Sequence, residues 1–190
     1  MQWVKGLINM NYEFLNDFVG FEKASQECIA KYANRVPSEL IDIWQRYGFG
    51  AFMGGYLKII NPDEYAQLLS SSYFRADVAV PIMATAFGDI ITWEKQRFVA
   101  IVKYRYGQSE IMISGLELFI MLLKDNSFTR RFFTLELYAQ AVDQYGNLAY
   151  DECFGFAPLL ALGGKESVEN IKKVKLKEHI ALITDMVGGV

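Results

Sequence analysis

The sequence predicts an α+β fold in which a central antiparallel sheet, a meander, is flanked by N-terminal and C-terminal helices. Residues 78–86, 90–93, 98–104 and 110–113 are β-branched and aromatic runs. Only the short breaks Gly88-Asp89, Glu94-Lys95-Gln96 and Gly107-Gln108 part them, which is the pattern of consecutive hairpins. On both sides of this section the apolar residues recur at helical spacing instead. Apolar residues make up 52% of the 190, aromatics 15% and charged residues 22%. A chain of this length and composition buries a dense aromatic core, and disorder is excluded.

In order along the chain, Tyr12, Leu15, Phe18 and Val19 suggest a helical turn or two. Phe21, Ala24, Cys28, Ile29 and Tyr32 then share one side of an expected amphipathic helix, with Glu22, Lys23, Gln26, Glu27 and Lys31 on the other. Pro37 suits a helix start, and Leu40, Ile41, Trp44 and Tyr47 face inward until Gly48 stops that helix. Residues 48–55 hold four glycines with Phe49, Phe52 and Met53 between them, which predicts a turn system, followed by a short strand over 56–60. Asn61-Pro62-Asp63-Glu64 combines a capping side chain, a proline and a carboxylate, so a helix is expected from there to about residue 70.

After the meander, Ser114-Gly115-Leu116-Glu117 reads as a capping box, with Leu116, Phe119, Ile120 and Leu123 as the stripe of its helix. Thr134 is placed to cap a further helix that Gly146 ends. Residues 146–164 mix glycines, Pro158, the pair Asp151 and Glu152, and an apolar block over 154–162, and are expected to form a buried non-helical connection. Residues 170–176 suit an edge strand with lysines outward, and Leu176, Ile180, Ile183 and Val187 a closing helix. Ser70-Ser71-Ser72 is the best boundary between regions 1–70 and 71–190, which are expected to form one compact unit.

The chemistry is notable for what is missing. His179 is the single histidine, and with Cys28 and Cys153 it cannot supply the four ligands of a zinc site, so no metal is expected. The two cysteines read as reduced core thiols and His179 as a packed side chain. No nucleophile elbow, Walker loop or G-x-G-x-x-G is present, so no catalytic residue and no cofactor is assigned. Asp151 and Glu152 are adjacent, which sends their side chains to opposite faces of an extended segment. Lys and Arg number 19 against 22 Asp and Glu, a net charge of −3 that argues against nucleic acid as a direct partner. Six acidic residues against one lysine lie within 132–171, and Lys172, Lys173, Lys175 and Lys177 follow. Asp151, Glu152, Glu166, Glu169 and Trp93 are therefore the candidate partner-binding residues, with Trp3, Trp44, Phe52 and Tyr106 as further candidate anchors. No apolar run approaches the roughly 20 residues of a membrane span and no secretory signal opens the chain, so no membrane partner and a cytoplasmic location are expected.

The run Asp151-Glu152-Cys153-Phe154-Gly155-Phe156-Ala157-Pro158-Leu159-Leu160-Ala161-Leu162-Gly163-Gly164, with Glu169-Asn170, Lys173-Val174 and Glu178-His179, resembles the C-terminal signature of the immunity proteins that accompany type VI secretion DNase effectors. Leu40-Ile41-Asp42-Ile43-Trp44, Tyr47-Gly48-Phe49-Gly50, Gly54-Gly55-Tyr56 and Asn61-Pro62-Asp63-Glu64-Tyr65 resemble the GAD-like domain that precedes it. The resemblance implies a protein that is not an enzyme and that binds and neutralises a cognate DNase toxin in the cytoplasm. An alternative, suggested by the GAD-like region and the lysine run, is a nucleic-acid or tRNA-associated accessory module.

Overall fold

The computed structural model describes residues 12–190. Its centre is a seven-stranded antiparallel sheet whose strands lie side by side in sequence order. These are β1 (Val19–Glu22), β2 (Phe49–Phe52), β3 (Leu57–Ile59), β4 (Ala79–Thr85), β5 (Ile90–Glu94), β6 (Phe98–Lys103) and β7 (Gln108–Ser114). The predicted α+β class and the meander are both present. The β3–β4 pairing, Leu57↔Thr85 to Ile59↔Met83, carries the sheet across residues 70–71 without a break.

The central strands are buried on both faces, so the alternation along each strand sorts its side chains between two cores rather than between core and water. Leu57, Ile59, Met83, Ile91, Val99 and Ile101 face one core, where α1 (Gln26–Tyr32), α2 (Ser38–Tyr47) and α4 (Leu116–Leu122) contribute Tyr32, Ile43, Trp44 and Phe119. Ala84, Ile90 and Val102 face the other, filled by Tyr65 and Leu69 of α3 (Pro62–Ser72) and Leu176, Ile180 and Ile183 of α7 (Leu176–Val187). A separate two-stranded ribbon, β8 (Glu152–Phe156) with β9 (Ile171–Lys175), adds Cys153 to the second core and Phe154, Phe156 and Ile171 to the first.

Several elements depart from the sequence pattern, each for a local reason. Phe21 is not helical but lies in β1, 62% exposed, because Ser25 caps α1 by accepting the Cys28 N–H at 3.1 Å and so starts the helix later. Tyr12 and Leu15 form a short 3-10 turn, and Phe18 and Val19 lie beyond it. Residues 48–55 are a strand followed by a turn: Gly48 ends α2 at φ +76, and Gly50 is in β2. A Cβ on Gly50 would lie 2.3 Å from the Val19 carbonyl, so that glycine permits a close strand approach rather than a turn. Ser114 is spent as the last residue of β7, and Gly115 at φ +91 opens α4 with no side-chain cap. Thr134 also makes no cap for α6 (Leu135–Tyr145), because its hydroxyl accepts from Arg105 at 3.3 Å. The sequence pattern missed α5 (Asn126–Phe132), whose cap is Asp125 accepting the Phe128 N–H at 2.8 Å.

Gly50→Ala should therefore destabilise the protein by about 2 kcal/mol, as expected when a methyl is forced into a filled space. Urea unfolding measures the loss, and hydrogen exchange should show β1 detaching first.

Candidate functional site

Lys58 is the side chain on which the 147–152 segment is built. It lies in β3, 1% exposed, on the sheet face it shares with Ala84. Its ammonium donates to the carbonyls of Ala149 at 3.0 Å, of Tyr150 at 2.9 Å and of Glu152. All three N–H donors are thereby used, which makes burial of the charge tolerable. Burial pushes the Lys58 pKa down to about 8, against the pull of Asp151 and Glu152 nearby. The Tyr150 hydroxyl reaches the Ile59 carbonyl at 2.8 Å and Lys173 the Asn147 carbonyl at 2.7 Å, so the segment is tied to both β3 and β9.

This anchoring decides what Asp151 and Glu152 do. Asp151 is exposed but paired with Lys175 at 2.6 Å, and that hydrogen bond holds its carboxyl below the usual carboxylate range. Glu152 is half-buried and accepts the Ala149 N–H at 2.9 Å. Glu166 and Glu169 are exposed in the loop joining β8 to β9; Glu166 accepts the Tyr106 hydroxyl, and the Ser167 side chain lowers the Glu169 carboxyl. The ribbon register runs from Glu152↔Lys175 at one end to Phe156↔Ile171 at the other. At about 3.3 Å per residue that is roughly 13 Å of strand. The structure thus places the four acidic candidates in two pairs at opposite ends of the ribbon.

Trp93, in β5, is 6% exposed, and its indole N–H is buried without a partner among the described residues. It lines two adjoining grooves of about 350 and 420 Å³ that share Arg35, Trp93 and Gln96. The first adds Val36, Pro37, Glu39, Leu116 and Glu117. Trp44 and Phe52, each 1% exposed, are core residues and not surface anchors. Tyr106 is half-buried beside Arg105, and Trp3 lies outside the described residues. His179 is packed as expected, 8% exposed with its pKa lowered by burial; a Cβ on Gly155 would meet its ring at 2.7 Å.

Two ion pairs built on buried carboxylates were not anticipated. Asp89 meets Arg105 at 3.2 Å, with the Thr85 hydroxyl donating to Asp89 at 3.1 Å and the guanidinium 4.7 Å from the Phe87 ring. Burial pushes the Asp89 carboxyl up against the pull of Arg105. On β5, Glu94 accepts from Tyr73 at 2.8 Å and Thr92 at 3.0 Å and is met by Arg75 at 2.6 Å. Their only sequence signal was a charge beside an apolar run. Among the described residues no group of three or more His, Cys, Asp or Glu side chains could hold a metal ion, and no helix is long and apolar enough to cross a membrane.

The architecture is shared with a solved structure, the crystal structure of Atu4351 from Agrobacterium tumefaciens. The TM-score is 0.77 at 18% identity, over 93% of this chain and 89% of that one. At that identity the likeness defines the class, a seven-stranded antiparallel sheet with helices on both faces. Among curated proteins no sequence matches. The model of the GAD-like domain matches residues 9–105, and that of the T6SS immunity protein Tdi1, C-terminal, matches residues 114–187. The chain belongs to the GAD-like family, and behind that region it carries a match to the C-terminal region of a type VI secretion immunity protein.

Lys58→Met should lower stability by about 3 kcal/mol near neutral pH, because three buried carbonyls lose their donor. The folded chain gives up the Lys58 proton near pH 8, while an unfolded lysine keeps it to about 10.4. Across that window the unfolded state holds more protons, so this group's contribution to stability rises with pH. Urea unfolding of the wild type and Lys58→Met at about pH 7 and about pH 9.5 should show the gap widening at the higher pH.

Proposed function

We propose that this chain is an immunity protein that binds a cognate type VI secretion DNase toxin in the cytoplasm and blocks it, without chemistry of its own. The observation that carries the reading is the match of residues 114–187 to the C-terminal region of the T6SS immunity protein Tdi1, behind a GAD-like region. A net charge of −3 agrees with it, since an acidic inhibitor is drawn to a basic DNA-binding groove and associates faster for it. Asp151, Glu152, Glu166, Glu169 and Trp93 are the proposed contacts, and of the acidic ones Glu166 and Glu169 are the better placed. Asp151 is engaged by Lys175, and Glu152 by the Ala149 N–H. The nucleic-acid reading is weaker because three of its four lysines are occupied: Lys173 by the Asn147 carbonyl, Lys175 by Asp151 and Lys177 by Glu64.

The test is co-purification with a catalytically inactive form of the DNase encoded in the adjacent reading frame. A stable one-to-one complex and restored growth of toxin-expressing cells are expected; failure of both removes the reading. Glu166→Lys with Glu169→Lys should slow association by about tenfold at low salt, an effect that salt erases. Unchanged association kinetics would move the interface away from that loop.

A further inference from the structure

Four side chains that carry hydrogen-bond donors line the two grooves: Arg35, Trp93 and Gln96 line both, and Lys95 lines the second. The Trp93 indole N–H is buried with no acceptor among the described residues, a standing penalty that native structures rarely leave without a reason. Arg35 is exposed and lies 5.2 Å from the Tyr32 ring, and its charge is felt by Asp63, but among the described residues it makes no ion pair; Lys95 is likewise exposed and makes none there. Gln96 completes the set, and Arg35, Trp93 and Gln96 line both grooves.

The connection from β5 to β6 supplies a second, independent observation. Lys95 and Gln96 both sit in the left-handed region, at φ +50 and +52. Hairpin turns of this kind favour Asn-Gly, because side chains are strained there. The two side chains that this turn retains at that strain are the two that line the groove. Each groove also has acidic residues that the other lacks, Asp77 in one and Glu39 with Glu117 in the other. The side chains common to both grooves thus carry donors, and those particular to each include a carboxylate.

We propose that this site docks the toxin through a segment carrying an Asp or Glu carboxylate flanked by basic residues. The carboxylate sits over Arg35, Gln96 and the Trp93 edge, and the flanking cations meet Asp77 on one side and Glu39 and Glu117 on the other. This rests on the toxin-binding reading and adds to it a location and a partner chemistry. A desolvated Trp with an adjacent Arg in a groove is also the composition of interface hot spots.

The experiment measures the affinity of the full chain for the inactive DNase of the adjacent reading frame, with melting temperature as the folding control. Arg35→Glu and Gln96→Gly alter exposed positions, and Gln96→Gly relieves the turn, so its melting temperature should hold or rise. Each should weaken binding about tenfold or more, and Trp93→Phe, which keeps the ring and removes the N–H, about fivefold. Arg35→Glu and Gln96→Gly proteins that bind as tightly as wild type overturn this assignment while leaving toxin binding in place. A wild-type chain that captures no toxin overturns both.

Discussion

The fold depends on one buried cation. An ammonium placed against the face of a sheet is unfavourable unless every proton finds an acceptor. Lys58 meets that condition only because the chain returns after α6 and presents the carbonyls of Ala149, Tyr150 and Glu152 to it. The consequence reaches well beyond the lysine. Once residues 149–152 are fixed, β8 must start at Glu152, its N–H at Phe154 can bond the Ala86 carbonyl at 2.7 Å, and Leu176 can open α7 by bonding the Asp151 carbonyl at 2.9 Å. The ribbon and the last helix are thus registered against the meander through one side chain of a three-residue strand.

The same registration explains why the GAD-like region and the Tdi1-like region share one structure. Cys153 points into the core between the sheet, α3 and α7, while Phe154 and Phe156 join the core on the other side, where Phe87 stacks on Phe156 at 5.9 Å. Alternate residues of one short strand therefore close two cores. Neither core is complete without residues from both matched regions: Tyr65 and Leu69 come from the first, and Leu176, Ile180 and Ile183 from the second.

Much of the meander was legible because its strands are apolar on both faces and its breaks are short; α3 and α7 announced themselves through Asn61-Pro62 and the spacing of Leu176, Ile180 and Ile183. What failed had non-local causes. Whether Gly50 makes a turn or a close strand contact depends on where Val19 lies, and nothing near Gly50 states that. Phe21 fits a helical stripe and is in fact exposed, stacked on Tyr150 at 4.2 Å, a partner far away in sequence. The apolar block after Phe156 looked like core, yet Leu162 is 52% exposed because the loop between β8 and β9 leaves the interior at Ala157. For the site, acidic residues close in sequence were separated by the length of a strand pair, and the acceptors of Lys58 lie in another part of the chain.

How charge is used then narrows where a partner can be read. Lys31, Lys103, Lys124, Lys175 and Lys177 all face carboxylates of the same chain, and Lys58, Arg75 and Arg105 are committed to the interior. An exposed pair of this sort adds little stability, about 1 kcal/mol at most, but it does neutralise the local field and so removes a handle for a charged partner. Among the described residues Arg35 and Lys95, like Lys23, Arg46, Arg97, Arg130, Lys165 and Lys172, are in no ion pair, and these two line a groove with a tryptophan whose N–H has no acceptor there. Glu166 and Glu169, in the loop between β8 and β9, carry the opposite sign at a separate place. Charge outside these pairs thus remains on the surface with both signs, at separate places. Such a surface discriminates between partners by the pattern of charge rather than by net charge.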